Sequence, residues 1–279
     1  MNSLGFKFPV QERKTALYNL EEEWYLPLLS KHLGIPMQSI KRSNFGQYSM
    51  AVNYLTSVLE EAAAINKVAV YNIDHMTQLL FYGPDVVALL NRALTGNFTE
   101  MKVGQCKYTL LLNEQGGMQD DMILMRVSDT SFILVINAGH DITDTIEVEG
   151  EKKEYLADID RIMQCKKEGE EVWAKDISDT LLKIDVQGPL SYKLLKEVYG
   201  ESVLKNRNNP EKNMNFFTFN EFERNGHHYY LSRTGYTNRW GWELYIPVAV
   251  AEEDAKIIIS KALDFGGLLV GLGGRDEKR

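Results

Sequence analysis

The chain has 279 residues, 44% of them hydrophobic and 25% charged, with a formal net charge of −8. That balance fits a globular protein of one large domain or two ordinary ones, and its sign repels phosphate backbones, which disfavours nucleic acid as a partner. No run reaches the roughly 18 apolar residues of a spanning helix, and MNSLGFKFPVQERK lacks the apolar core of a signal peptide, so a cytoplasmic protein with no membrane partner is expected.

In chain order, ALYNLEEEWYLPLLSKHLG (16–34) and VNYLTSVLEEAAAI (52–65) read as partly helical, with EEE at 21–23 as a solvated face. His75 in NIDHM reads as a hydrogen-bonded core histidine. FYGPDVVALLNRAL (81–94) and VQGPLSYKLLKEVY (186–199) both enter Gly-Pro from a strand-like run and continue as amphipathic helices. Pro84 and Pro189 fit the first helical turn, where a missing N–H costs nothing. Leu89 and Leu90 match Leu194 and Leu195 at the same offset of 105 residues (189 − 84). A hairpin follows each helix: KYTLLLN, EQGG and DMILMRV within 107–127, then YYLSRT, GYTNRWG and WELYIP within 229–247. The chain therefore reads as two copies of a strand–helix–hairpin unit, an α+β fold divided at about residue 150 into 1–150 and 151–279. The charged stretch 151–176 reads as an exposed helix and connector, and RNNPEKN (207–213) as a loop.

Several residues could carry chemistry. Asp120 and Asp121 open the strand DMILMRV; each either points into a pocket or caps the hairpin as an Asx-type turn residue. Glu243 lies mid-strand in GWELYIP, which is costly unless it faces solvent or binds donors. Tyr108 and Tyr236 sit on the two hairpins. Arg275 follows a Gly-rich turn and either presents its guanidinium to an anion or a carbonyl or belongs to a flexible terminus. Cys106 and Cys165 read as ordinary thiols, and the five histidines show no HxxxH or HExxH spacing, so no metal site is expected.

GQCKYTLLLNEQGGMQDDMILMR, FILVINAG, IDVQGP, LSRTGYTNRWGWELYIP and GLGGRD, preceded by NIDHM and GPD, resemble in order and spacing the aminomethyltransferases, the T-proteins of the glycine cleavage system and their relatives. The resemblance covers about residues 50–279. It implies two pseudo-repeated units with antiparallel sheets around a central hole that binds tetrahydrofolate as co-substrate. It also implies transfer of a methylene group from the dihydrolipoyl arm of an H-protein-like carrier, with release of ammonia. Asp120 falls on the family's essential aspartate and Glu243 on its pterin-holding glutamate. Tyr108, Asn137, Tyr236 and Arg275 fall on its other cofactor-binding positions. Asp120 is then expected to face folate, with Asp121 structural.

Three departures stand out. GYTGEDG of the family is GYTNRWG here, FDVSHM is YNIDHM with Asn72 in place of an aspartate, and the family's C-terminal barrel has no counterpart before Arg279. KVGQCKYTLLLNEQGGM also resembles the dimethylsulfoniopropionate demethylases. A folate-dependent demethylase of a small methylated sulfonium or amine, and a non-catalytic folate-binding protein, are therefore the alternatives to aminomethyl transfer.

Overall fold

A computed structural model describes residues 12–148 and 151–277, without the side chains of Glu60, 144–148 and 151–154. The segment compared above with a signal peptide lies, through residue 11, outside the described residues.

Eleven of the described strands make two sheets. In chain order they are β1 Ala69–Asn72, β2 Thr77–Tyr82, β3 Cys106–Leu112, β4 Met118–Ser128, β5 Ser131–Ile136, β6 Trp173–Asp176, β7 Leu181–Gln187, β8 Phe219–Arg224, β9 His227–Ser232, β10 Gly241–Pro247 and β11 Leu268–Val270. Six helices matter here: α1 Leu26–Leu33, α2 Val86–Ala93, α3 Asp158–Gln164, α4 Ser191–Tyr199, α5 Ala251–Asp264 and α6 Leu272–Asp276. The first sheet has the order β6-β2-β5-β4-β3 and the second β8-β9-β10-β7-β1-β11. The architecture is α+β, and every ladder in the two sheets is antiparallel except β11 on β1.

The chain forms two compact units. One holds residues 45–47 and 75–178; the other holds 12–44, 48–74 and the chain from Asp179 onward. Space therefore does not divide at residue 150. β6 lies beyond that point yet pairs with β2, and β1 lies well before it yet pairs with β7. Ladder hydrogen bonds, not chain order, decide which segment belongs where. The stretch 151–176 is accordingly no mere connector. It supplies α3, whose Ile162 is fully buried in the first unit's core, and the edge strand β6.

The duplication is present, with a different pairing of its parts. β2–α2 and β7–α4 superpose in sequence at the 105-residue offset, since α2 begins at Val86 and α4 at Ser191. One of the two neighbours of β2 is β5, and one of the two neighbours of β7 is β10. The series β3-β4-β5-β2 thus matches β8-β9-β10-β7, so hairpin β3–β4 corresponds to β8–β9 rather than to β9–β10. Two successive hairpins look alike locally; only the ladder to the strand before the helix distinguishes them. Pro84 and Pro189 lie one residue before the N-caps Asp85 and Leu190 rather than within the first turn.

Other expectations shift with burial. Residues 18–33 are helical, with one π turn over Glu21–Tyr25, and end at Gly34 in the left-handed region. Glu21 is not on a solvated face. It is fully buried, paired with Arg42 at 3.0 Å, and accepts a hydrogen bond from Asn72 Nδ2 at 2.8 Å. An aspartate at position 72 would set two buried carboxylates together, so the asparagine goes with Glu21. Residues 58–66 are helical, whereas Val52 and Asn53 end the strand Tyr48–Asn53. RNNPEKN lies largely in a small hairpin, Lys205–Asn206 with Asn209–Asn213. His75 is buried, its ring 5.8 Å from that of Phe45. Cys106 and Cys165 are free thiols. No described helix is long and apolar enough to cross a membrane.

The two Gly-Pro corners have a steric cause. Gly83 and Gly188 sit at φ 131° and 118°, and a Cβ on Gly188 would lie 2.6 Å from the Ile65 carbonyl oxygen. Gly188→Ala combines left-handed strain with a backbone overlap, and about 2–4 kcal/mol should be lost. A urea midpoint lowered at unchanged slope is the expected result.

Candidate functional site

The first cluster is built on β4. The turn before it is capped by Asn113, whose Oδ1 accepts from the backbone N–H groups of Gln115 (3.0 Å) and Gly117 (2.7 Å). The Asx role considered for Asp120 or Asp121 belongs to Asn113. A bulge follows: Leu111 pairs with Asp120 and Leu112 with Met118, leaving Gln119 unpaired. One extra residue exchanges the faces of a strand. Here it puts Asp120 on the side of buried Leu111 and Met122, and the aspartate is 4% exposed.

Asn137, just past β5, serves both aspartates. Its backbone N–H donates to Asp120 Oδ2 (3.1 Å), and its Nδ2 lies 2.7 Å from Asp120 Oδ1 and 3.0 Å from Asp121 Oδ1. Asp121 is half-buried and also accepts from the Tyr108 hydroxyl at 3.0 Å. Burial pushes the Asp120 carboxyl up to about 6, against the positive field of His140 and the Asn137 hydrogen bonds, and with a further push from Asp158. His140 Nε2 lies 3.9 Å from Asp120 Oδ1.

The second cluster lies along β7. Its seven residues are all buried. Leu182, Ile184 and Val186 enter the hydrophobic core, while Lys183, Asp185 and Gln187 share the opposite face. Glu243 of β10 is directly across from Asp185 and only 6% exposed, so the solvent-facing alternative falls away. Lys183 Nζ donates to Glu243 Oε1 at 2.8 Å, and the Thr234 hydroxyl donates to Oε2. Burial would raise the Glu243 carboxyl, but Lys183 and Thr234 outweigh it and hold the group below its ordinary value. Asp185 goes the other way. Burial and the facing charge of Glu243 lift it to about 6 in spite of Arg275.

Arg275 is seated, not frayed. Its guanidinium lies 3.3 Å from Asp185 and is 11% exposed. The glycines before it allow close packing: a Cβ on Gly271 would sit 2.2 Å from the Val52 carbonyl oxygen. Gln187 holds the loop between β9 and β10. Its Oε1 accepts from Thr237, its Nε2 donates to the Thr234 carbonyl, and Gly235 and Gly241 leave the space its amide fills. Beside this loop is a cavity of about 720 Å³, lined in part by Thr234, exposed Tyr236 and Trp240, and the guanidine-bearing Arg233 and Arg239. Asn238 takes φ 56°, the left-handed conformation that asparagine tolerates best after glycine.

The GCVT N-terminal domain model matches residues 38–279. The chain belongs to that family. It is 28% identical over 254 residues to the aminomethyltransferase of Pseudothermotoga lettingae, covering 91% of this chain and 62% of that protein. It is 30% identical over 244 residues to the aminomethyltransferase of Lysinibacillus sphaericus, covering 86% and 59%. The solved glycine cleavage system aminomethyltransferase T from Bartonella henselae shares its fold, with a TM-score of 0.74 at 24% identity over 96% of this chain and 62% of that one. The chain therefore spans about three fifths of the length of these relatives.

Within this GCVT-family chain, Asp120, Asn137 and, through Asp121, Tyr108 come together in one unit. Glu243 and Arg275 come together in the other, joined by Asp185, with Tyr236 at the adjoining cavity. Lys183, Asp185, Gln187, Thr234, His140 and Asp158 were missed from the sequence. LLKIDVQ carries the signal for three of them, since polar residues alternate strictly with aliphatic ones. Nothing local marks the others.

Removing one partner of a buried pair leaves an uncompensated charge, so Lys183→Met should cost about 3–5 kcal/mol in urea unfolding. The double variant Lys183→Met/Glu243→Gln should regain most of that loss. Asp120 supplies a pH test. Its folded-state value lies above the unfolded one near 4, so the native state holds the proton more tightly, and this stability is lost as pH rises from about 4 to about 6. Asp120→Asn should flatten that part of the stability profile.

Proposed function

We propose that the chain carries the folate-dependent core of an aminomethyltransferase, with tetrahydrofolate as co-substrate and an aminomethylated lipoyl carrier as donor. The observation that carries the proposal is Asp120, a 4%-exposed carboxylate fixed by two Asn137 donors at the position where the family has its essential aspartate. Tetrahydrofolate would supply a nucleophilic N5 that takes the donor's methylene while ammonia leaves. The residues fit such a guest. Glu243 is held ionised, and each of its oxygens has one assigned donor, which leaves lone pairs for the adjacent N–H groups of a pterin edge. Lys183 and Thr234 fix its orientation. Asp120 would assist the proton movement that attack by N5 requires. Its elevated titration keeps it within reach of both protonation states near neutrality.

The cavity beside the β9–β10 loop bears on the donor. Among small methylated donors, Arg233 and Arg239 favour one that also carries a carboxylate over a bare sulfonium or ammonium, whose charge they repel. A small methylated substrate that also carries a carboxylate remains the second reading, and methylated small molecules belong in the assay as parallel donors.

Glu243→Gln should weaken tetrahydrofolate binding by about 1–3 kcal/mol in calorimetry, the scale for a hydrogen bond to a charged group. Asp120→Asn should remove most single-turnover formation of methylene-tetrahydrofolate while binding stays within about tenfold, or ~1.4 kcal/mol. Wild-type turnover should fall below pH 6 as Asp120 takes up its proton. Folate binding without turnover of any donor would instead mark a binding protein.

A further inference from the structure

His140 stands between two carboxylates that the β4 cluster alone does not explain. Its Nε2 side faces Asp120 at 3.9 Å, and its Nδ1 lies 3.6 Å from Asp158 and 2.9 Å from the Tyr155 hydroxyl. The acceptors thus flank opposite ring nitrogens. Asp158, the first residue of α3, is fully buried, and among the described residues neither of its oxygens has a hydrogen-bond partner. Its backbone N–H donates to the His140 carbonyl at 2.8 Å, which fixes the helix start against the histidine's own backbone.

Two carboxylates buried this deeply need a compensating charge. Asp120, His140 and Asp158 offer ligand atoms within 4.8 Å of one another, so a divalent cation is one candidate and a proton on the imidazole the other. Geometry favours the proton. A metal would take one ring nitrogen with both carboxylates gathered on that side. Here each carboxylate has its own nitrogen, and Tyr155 already occupies Nδ1. Among the described residues, Asp141 on its own loop also acts on the ring, and Arg161 of α3 has its guanidinium 5.1 Å from the centre of the Tyr155 ring. Burial lowers the imidazole's proton affinity, but Asp158, Asp120 and Asp141 together carry it above the ordinary value.

We propose that His140 is a positioning residue: clamped by Asp158 and Tyr155 as an imidazolium, it keeps Asp120 ionised at the pH where the reaction runs. This deepens the role proposed for Asp120 and rests on that reading for its link to folate. No bond is made or broken by His140. Its charge offsets the burial that would otherwise protonate Asp120, and Asp158 is the counter-ion that retains that charge. Asn137 fixes the direction of the Asp120 carboxylate, and His140 sets its protonation.

The test is NMR titration of the whole chain with labelled histidine and aspartate side chains, resonances being assigned by loss in His140→Asn and Asp120→Asn. The wild-type His140 ring should titrate above the free-imidazole value. Asp158→Asn should lower that midpoint by about one unit, a tenfold loss of proton affinity. His140→Asn should raise the Asp120 midpoint by about one unit. In turnover, the acidic limb of His140→Asn should move up by the same amount, with kcat restored at high pH and KM little changed; a merely structural loss would lower kcat at every pH. An Asp120 midpoint unmoved in His140→Asn overturns the proposal. So does one equivalent of zinc or manganese that binds wild type and is lost in His140→Asn. The NMR arm needs no folate. Wild type that turns over no donor yet shows these shifts removes the aminomethyl-transfer reading and leaves the assignment of His140 standing.

Discussion

The strand Leu181–Gln187 is hidden from water on both faces, and much of the second unit follows from how each face is satisfied. One face is aliphatic and enters the hydrophobic core. The other carries Lys183, Asp185 and Gln187, which have no water to fall back on. Lys183 is matched by Glu243, Asp185 by Arg275, and Gln187 by Thr237 and the Thr234 carbonyl. Each match recruits a different part of the chain: β10, the C-terminal helix and the loop before β10. A polar stripe that would be a liability on its own thereby fixes the elements that carry the candidate binding residues.

The same constraint puts neighbouring carboxylates into different electrostatic states. Glu243 has an ammonium and a hydroxyl against it and stays ionised. Asp185, directly across the ladder, feels that negative charge and rises to about 6. In the first unit Asp120 also rises to about 6, because burial outweighs the field of His140 and the neutral donors of Asn137. Burial is common to all three; what differs is the partner. A carboxylate held ionised suits binding to N–H donors, whereas one poised near neutrality suits proton movement.

The repeated β–α corner shows how one local solution serves two settings. Gly83 and Gly188 both take positive φ, and both pass close to a backbone carbonyl, of Glu171 in one unit and Ile65 in the other. The carbonyls come from unrelated stretches of chain. The corner is thus conserved within the molecule by its own geometry, while what packs over it differs.

The sequence by itself determined the local elements. Helical spacing, Gly-Pro corners and alternating hairpins set α2, α4, β3–β4 and β9–β10, and motif order set the family resemblance and the candidates Asp120, Asn137, Glu243 and Arg275. Tertiary structure decided which hairpin corresponds to which, where β1 and β6 pair, and that Glu21 is buried rather than solvated. It also decided the company of each candidate. A one-residue bulge at Gln119 turned Asp120 rather than Asp121 toward the core, and that choice is invisible in a pattern of period two. His140 and Asp158 are 18 residues apart and share no motif; only the return of the chain through α3 sets one against the other. Local propensity is read from neighbours in sequence, but a titration is set by charges a few ångströms away in space, and those are brought together only by the fold.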